Sequence, residues 1–309
     1  MRIVIHGQQA FGKAVLERLV AGPDEVTGVF CPPDHEGRPV DPLKEAALER
    51  GLPVHQPATW KTDEALRQLE SFHADLCVMA YVTLLVPRRV LDAPRLGTIQ
   101  YHPSLLPLHR GPSSINWARI MGDEKTGLTI FWPDEGLDEG PILLQKEVEI
   151  AEDDTVGSLY FGKLFPMGVD AIAEAVALVR AGTAPRIPQD HSRATYESWC
   201  GEADAEVDWA APAAEVHRLI CGTDPQPGAW TTVGGHKLKL YGSRLGDGTG
   251  ASGEILDVSE DGMKVAAGGA SVVVQRVRAH DSRAKVAAAE YAGRAGLRPG
   301  LHLGAGASS

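Results

Sequence analysis

Residues 75–81 read DLCVMAY, a nearly continuous apolar run that is typical of a strand buried on both faces of a parallel sheet. Other apolar or β-branched runs share this strand-like character and lie at residues 2–6, 25–31, 97–101, 127–132 and 142–150. Helix-like segments separate several of these runs and lie at residues 13–20, 42–50, 62–72 and 114–121. This alternation predicts a Rossmann-like α/β fold, an open and mostly parallel sheet with helices on both faces.

The second half of the sequence changes character after a long helical stretch at residues 155–181, which we expect to bend at Pro166. The first domain is predicted to span residues 1–183, and the polar, proline-containing residues 184–204 are predicted to form a linker. Residues 205–292 contain short β-rich segments with glycine turns, which predict a small antiparallel, OB-like β-barrel. The Gly/Ala-rich residues 293–309 are expected to form a frayed tail.

Composition and charge exclude several classes of protein. Of the 309 residues, 43% are hydrophobic and 23% are charged, which excludes a disordered chain, and the lack of a Gly-X-Y period excludes a collagen. The net charge is −11. No apolar run approaches the roughly 18 residues of a membrane span. Residues 201–309 contain 11 Lys and Arg against 13 Asp and Glu, which leaves a charge of −9 on the first 200 residues. This acidity disfavours a nucleic-acid partner, because phosphate binding needs clustered Lys and Arg.

The cysteines and the first residues predict a cytoplasmic protein. The sequence enters a strand-like run at once, without the pattern of a cleavable signal. The four cysteines are widely spaced and form no CxxC pair, which indicates reduced thiols and neither a disulfide framework nor a zinc site. They are Cys31, Cys77, Cys200 and Cys221.

Two glycines after the first strand, Gly7 and Gly12, resemble the start of a nucleotide-binding loop. The spacing matches neither GxGxxG nor the phosphate loop, which needs Lys followed by Ser or Thr after the second glycine. Here Lys13 and Ala14 follow instead. A tight turn into a helix is therefore the preferred interpretation, and a dinucleotide site is the alternative.

The segment QYHPSLLP at residues 100–107 places polar side chains at the end of a predicted strand. Pro103 favours an extended conformation for His102, and strand alternation directs Gln100 and His102 to the same side. Ligands of open α/β sheets collect at the carboxyl ends of strands. A lone histidine is usually structural or exposed to solvent, but this position makes a functional role an equal alternative.

Residues 134–142 (DEGLDEGPI) form an acidic, glycine-flanked turn between two predicted strands. A solvated hairpin turn explains this composition, because Asp and Gly both favour turns. In the alternative, one carboxylate turns inward and meets His102. Such a pair is a general acid–base unit, in which the carboxylate fixes the imidazole tautomer and stabilises its charged form. Spacing in the sequence leaves both interpretations open.

Several motifs together resemble the formyltransferase family that uses 10-formyltetrahydrofolate. They are YHPSLLP at 101–107, HRG at 109–111, INW at 115–117, GLDEG at 136–140, ATY at 194–196, VDW at 207–209 and PGAW at 227–230. The 36 residues from His102 to Asp138 are also similar to the family's spacing. Within the family, FCPPD at 30–34, DPL at 41–43 and IFW at 130–132 most resemble the hydrolase portion of 10-formyltetrahydrofolate dehydrogenase, and methionyl-tRNA formyltransferase follows.

The resemblance implies a formyl transfer enzyme with three catalytic side chains. His102 would act as general base or oxyanion partner, Asp138 would orient it and move protons, and Gln100 would donate to the oxyanion. Transferases of the family carry Asn at the position of Gln100, whose extra methylene changes the aim of the amide. No metal is expected.

The resemblance also implies where the folate donor, 10-formyltetrahydrofolate, would bind. Its pterin would lie in a cleft between two segments, since such rings suit an apolar pocket with a few hydrogen-bonding groups. The residues expected to line this cleft are Leu84, Leu85, Val86, Pro87, Asp134, Glu135 and Gly136.

The acceptor of the formyl group is left open. Initiator methionyl-tRNA has precedent in the family, but the acidic first 200 residues favour a small amine, a sugar nucleotide amine or an aminoacyl group on a carrier. Hydrolysis to formate and tetrahydrofolate is the enzymatic alternative. A folate-binding protein with weakened catalysis is an alternative of another class, although a binder needs neither His102 nor Asp138.

Overall fold

A computed structural model, which describes residues 1–304, places the apolar run DLCVMAY in the centre of a seven-stranded sheet. The strands are β1 (Arg2–Gly7), β2 (Glu25–Phe30), β3 (Val54–His55), β4 (Leu76–Ala80), β5 (Thr98–His102), β6 (Lys125–Phe131) and β7 (Ile142–Glu149). Their order is β3-β2-β1-β4-β5-β6-β7, with parallel neighbours from β3 to β5 and an antiparallel pair between β5 and β6. The predicted open and mostly parallel sheet is confirmed.

Helices cover both faces of this sheet. The helices of the described chain are α1 (Gln9–Val20), α2 (Pro42–Glu49), α3 (Asp63–Glu70), α4 (Arg88–Leu91), α5 (Ser114–Met121), α6 (Phe165–Ala181), α7 (Ala213–Gly222) and α8 (Ala288–Ala295). Along β1, Ile3 and Ile5 join an apolar cluster with α1, α2 and α6, whereas Val4 joins a second cluster with α3 and α4. Burial on both faces explains the nearly continuous apolar strands. Of these eight helices, none is long and apolar enough to cross a membrane.

Contacts divide the chain into two units. The first comprises residues 1–111, 127–148 and 163–196, and the second comprises residues 112–126, 149–162 and the chain from 197 onward. The predicted bounds of the first domain, the linker and the C-terminal domain stay a prediction.

The second unit contains an antiparallel sheet, as the sequence predicts for the C-terminal part. Its strands are β8 (Ala229–Val233), β9 (His236–Gly246), β10 (Ile255–Ser259), β11 (Gly262–Ala267), β12 (Ala270–Ala279) and β13 (Val286–Ala287). The order is β10-β11-β12-β9-β8, and β13 pairs with β12. Ile220 of α7 and Ala288 of α8 are buried in the core of this unit.

The helical and terminal segments need a closer description. The stretch 155–181 is helical from residue 156 and contains a π-helical segment, Ser158–Leu164, that runs directly into α6 with Pro166 as its second residue. The bend at Pro166 stays a prediction. The frayed tail is wrong for residues 293–304, because α8 extends to Ala295 and Leu303 is buried, with its N–H donated to Gly253. Residues 305–309 of the predicted tail lie outside the described residues.

The polar segment predicted as a linker belongs to the first unit as far as Tyr196. Ile187 pairs with Ile142 of β7, and Tyr196 pairs with Arg110, each as an isolated bridge. Residues 187–196 therefore lie along the loops that follow β5 and β6, which carry the predicted site.

Candidate active site

His102 is the last residue of β5, at the carboxyl end of a central strand. Its side chain is buried, with 6% of the residue exposed. Gln100 lies two residues earlier and shares the same strand face. The structure thus places both residues at the edge of the sheet where ligands of open α/β folds gather.

Both ring nitrogens of His102 face oxygen atoms. Nε2 lies 2.8 Å from the backbone oxygen of His109, and Nδ1 lies 3.5 Å from Oδ2 of Asp138. A carbonyl oxygen only accepts hydrogen bonds, so Nε2 carries a hydrogen and donates it to His109. Nδ1 then faces a carboxylate, and that contact is attractive only when a proton lies between the two atoms. The pair is arranged to take up and release one proton.

Asp138 points into the protein although it belongs to the acidic turn between β6 and β7. The residue is 8% exposed, and its Oδ2 also accepts the backbone N–H of Gly111 at 2.9 Å. Its φ of +56° is left-handed, a region that Asp enters more readily than most residues with a side chain. The inward-turned carboxylate is therefore the interpretation that fits Asp138, whereas the neighbouring Leu137 is half exposed.

Glycines and a carboxylate shape the rest of this turn. Oδ1 of Asp134 accepts the backbone N–H of Gly136 at 3.0 Å, which closes the first part of the turn. A Cβ on Gly140 would lie 1.8 Å from the backbone oxygen of Trp132, so only glycine lets the chain pass there. The position of Asp138 depends on this close approach.

Gln100 is partly buried in β5, opposite Met79 of β4 and Phe131 of β6. Its carboxamide lies on the strand face that ends in His102, so it can donate a hydrogen bond toward the same edge of the sheet. Its role at an oxyanion stays a prediction.

The first segment predicted to hold the pterin has an exposed part and an anchored part. Leu84 and Leu85 are 39% and 70% exposed, so both present apolar surface to solvent. Val86 is buried in the apolar cluster that contains Val4, α3 and α4, and Pro87 is the N-cap residue of α4. The buried valine and the helix start fix the two leucines in place.

The acidic turn is the second segment predicted to hold the pterin. Its carboxylates act electrostatically on α4, the helix that follows residues 84–87. The pKa of the Arg88 guanidinium in α4 is raised by its hydrogen bond to Asp92 and, to a smaller extent, by the carboxylates of Glu135 and Asp134. Arg88 lies three residues after Leu85, so the two segments lie on the same side of the first unit.

The Gly7–Gly12 loop is closed by a carboxylate. The backbone N–H of Gln9 lies 3.0 and 2.9 Å from the two carboxylate oxygens of Asp41, which also caps α2 by accepting the N–H of Leu43. A helix N-terminus binds phosphate through such N–H groups. Because Asp41 already occupies this position, the tight turn into a helix is the interpretation that the structure supports.

Sequence reasoning missed Gln189, which lies 5% exposed behind the acidic turn. Its segment is polar and contains prolines, and no pattern marked it, although ATY at residues 194–196 is part of the family resemblance. Within residues 1–304, no group of three or more His, Cys, Asp and Glu side chains is placed to hold a metal ion.

Comparisons with known proteins agree over both units. Residues 1–165 match the formyl transferase family, and residues 201–295 match that family's C-terminal domain. The chain is 44% identical over 263 residues to the mitochondrial 10-formyltetrahydrofolate dehydrogenase of Mus musculus, which covers 84% of this chain and 28% of that protein. It is 39% identical over 284 residues to the methionyl-tRNA formyltransferase of Ruegeria pomeroyi, which covers 90% of this chain and 92% of that protein.

The chain spans less than a third of the length of the dehydrogenases that it matches. Among solved structures, it resembles the N-formyltransferase from Helicobacter canadensis in complex with folinic acid and dTDP-3-aminofucose. The TM-score is 0.69 at 16% identity, and the match covers 88% of this chain and 98% of that one. At this identity the likeness is one of fold.

Proposed function

The chain belongs to the formyl transferase family, and we propose on that premise that it transfers a formyl group from 10-formyltetrahydrofolate to an amine. One observation carries the proposal. His102 and Asp138 form a buried pair, with Nδ1 and Oδ2 3.5 Å apart, at the carboxyl end of a central strand. Formyl transfer to an amine releases one proton from the attacking nitrogen, and this pair can accept it.

Residues 84–87 and the acidic turn suit the pterin of the donor. Leu84 and Leu85 offer exposed apolar surface to a flat ring, and Asp134 and Glu135 offer carboxylate oxygens to its N–H groups. Folate is a substrate in this proposal, and its pterin would lie against these side chains with the formyl group toward β5.

The reaction needs one bond to form and one to break. The acceptor nitrogen attacks the formyl carbon, the carbonyl oxygen becomes an oxyanion, and the bond from that carbon to N10 of the folate then breaks. The amide of Gln100 donates to the oxyanion, a contact that is typically worth about 10²–10³ in rate. The proton lost by the amine passes through Nδ1 of His102 and Oδ2 of Asp138 and ends on N10, so that the formylated amine and tetrahydrofolate leave.

A small or carrier-bound amine is the acceptor that charge favours. The first 200 residues carry −9, which counts against a large RNA surface. The relative from Ruegeria pomeroyi is a methionyl-tRNA formyltransferase, so charged initiator tRNA belongs in the test as the competing acceptor. Sugar nucleotide amines and aminoacyl carriers are the other members of the panel.

Hydrolysis of the same donor is the second candidate. It is favoured by the 44% identity to a 10-formyltetrahydrofolate dehydrogenase, whose hydrolase portion the motifs resemble. Gln100 favours neither transfer nor hydrolysis. Water would then replace the amine, and formate would leave in place of the formylated product. A binding protein without turnover is the third outcome, and the buried His102–Asp138 pair counts against it.

The test is the release of tetrahydrofolate from 10-formyltetrahydrofolate, with and without each amine. Release that depends on one acceptor and disappears in His102→Ala identifies a transferase and its substrate. Release without an acceptor, equally lost in His102→Ala, identifies a hydrolase. Binding without release under every condition refutes both enzymatic proposals. A large gain in turnover in Gln100→Asn indicates that Gln100 compromises transfer, and a loss indicates that Gln100 suits this acceptor.

We also propose that the reaction takes place in the cytoplasm. The described cysteines are free thiols, and three of the four are buried. Burial raises the pKa of Cys31 and of Cys77 to about 12, which keeps both thiols protonated and unreactive. Localisation of a tagged chain in intact cells tests this compartment.

A further inference from the structure

A single side chain holds the acidic turn at the position that Asp138 needs. Nε2 of Gln189 donates to the backbone oxygens of Asp138 and Gly140, each at 2.8 Å. These two carbonyls lie on either side of Glu139, so one amide group fixes the last part of the turn. The carboxylate of Asp138 projects from this fixed backbone toward His102.

Arg110 determines which end of the Gln189 amide faces the turn. Its Nε and Nη2 atoms lie 3.1 and 2.7 Å from Oε1 of Gln189. A guanidinium only donates hydrogen bonds, so the amide oxygen must face Arg110 and the amide nitrogen must face the turn. The Arg110 side chain is 0% exposed, so water does not compete for these contacts.

Arg110 belongs to the loop after β5, which contacts His102, the partner of Asp138. It follows His109, whose backbone oxygen accepts the hydrogen from Nε2 of His102. The hydroxyl of Tyr196 contacts the guanidinium and donates to Oε1 of Glu139 at 2.6 Å. The loop after β5 and the acidic turn are therefore tied together from behind by Arg110, Gln189 and Tyr196.

We propose that Gln189 is a positioning residue for formyl transfer, which sets the distance between Oδ2 of Asp138 and Nδ1 of His102 through the backbone of the turn. The catalytic consequence rests on the proposed function. The structural part of the proposal rests only on hydrogen bonds. Oδ2 of Asp138 also accepts the N–H of Gly111 at 2.9 Å, and this contact is lost when the turn moves.

The test is Gln189→Glu, which keeps the shape and strengthens the contact with Arg110 but presents an oxygen to the two carbonyls. Gln56→Glu is the matched control. The partly buried Gln56 amide has a similar arrangement in the first unit, with Oε1 accepting from Lys44 at 2.8 Å and Nε2 donating to the backbone oxygen of Pro32 at 2.6 Å and to Oδ1 of Asp34 at 3.2 Å. Gln189→Met, which has no donor or acceptor of comparable strength, replaces Gln189→Glu in case that variant does not fold.

Two readouts are expected to change in Gln189→Glu and to stay unchanged in Gln56→Glu, and a double variant gives the third test. Turnover of 10-formyltetrahydrofolate falls by about 10²-fold in kcat, the loss typical of a displacement near 1 Å, with KM for the donor nearly unchanged. Amide hydrogen exchange of Gly111 becomes about tenfold faster. In the Asp138→Asn background, Gln189→Glu lowers kcat no further, since both substitutions act on one contact.

Additive losses in the double variant, or wild-type exchange at Gly111 together with reduced turnover, would overturn the proposal. If the wild-type protein releases no tetrahydrofolate, the proposed function fails by itself. The exchange of Gly111 still decides whether Gln189 positions Asp138, because this readout does not require a reaction.

Discussion

Replacing Asp138 by Asn tests the central pair with little change in shape. The amide oxygen of Asn can still accept the N–H of Gly111, and the buried side chain keeps its volume. The substitution removes the negative charge that faces Nδ1 of His102. We expect kcat to fall while the affinity for the folate donor stays the same, because Asp138 acts on the proton and does not line the predicted pterin cleft.

The expected size of this loss follows from the geometry. Unit charges 3.5 Å apart interact by about 5 kcal/mol at an effective dielectric constant near 20, which is an upper bound for the charged state of the pair. In serine protease triads, the same kind of substitution lowers kcat by about 10⁴, because the carboxylate there also selects the tautomer. Here the backbone oxygen of His109 already fixes the hydrogen on Nε2 of His102. We therefore expect a loss of about 3 kcal/mol, or about two orders of magnitude in kcat.

Single-turnover release of tetrahydrofolate measures this loss, and the dissociation constant of a non-reactive folate analogue measures binding. A urea unfolding midpoint equal to that of the wild type confirms that Asp138→Asn is folded. A kcat within about threefold of the wild type, or a loss confined to KM, would refute the proton-transfer role of the pair.

Three further predictions concern other residues. Gln100→Ala removes the proposed oxyanion donor and is expected to lower kcat by about 10²-fold at unchanged KM; a change in KM alone would contradict this role. Gly140→Ala places a Cβ 1.8 Å from a backbone oxygen and is expected to lower the free energy of unfolding by about 3 kcal/mol in urea, whereas Gly293→Ala, in open space within α8, should raise it by about 0.5–1 kcal/mol. Burial lowers the pKa of His6 from 6.5 to about 3, so the unfolded chain binds a proton that the folded chain does not, and stability falls as the pH falls from 6.5 toward 3. From pH 7 to pH 5 this loss is about 2 kcal/mol, and His6→Gln should abolish it; an unchanged pH dependence in that variant would contradict the assignment.

Local patterns predicted most of the first unit because its strands are buried on both faces. The run at 75–81 contains β4 (Leu76–Ala80), and the run at 97–101 is offset by one residue from β5 (Thr98–His102). β3 was missed because it has only two residues, and α8 was missed because it has only eight residues and buries alanines, Ala288 and Ala292, in place of large apolar side chains. Periodicity detects long amphipathic elements and not short ones.

The candidate site could be predicted only in part, since its contacts join distant residues. Strand alternation and the proline after it placed His102 and Gln100 on one strand face. The inward turn of Asp138 depends on a contact across 36 residues, so composition left it open. Gln189 contacts the turn across 51 residues from a segment without periodicity, and nothing local to it indicates a buried amide.

The segment that carries Gln189 has a consequence for the order in which the proposed site forms during synthesis of the chain. Asp138 and Gln189 are 51 residues apart, which ribosomes translate in about 3–10 s at typical rates. Through that interval the strands of the first unit can pair, but the turn that carries Asp138 has no donor for its carbonyls. A nascent chain therefore contains both His102 and Asp138 before Gln189 can hold the turn, and the proposed pair is aligned only after residues 187–196 have emerged.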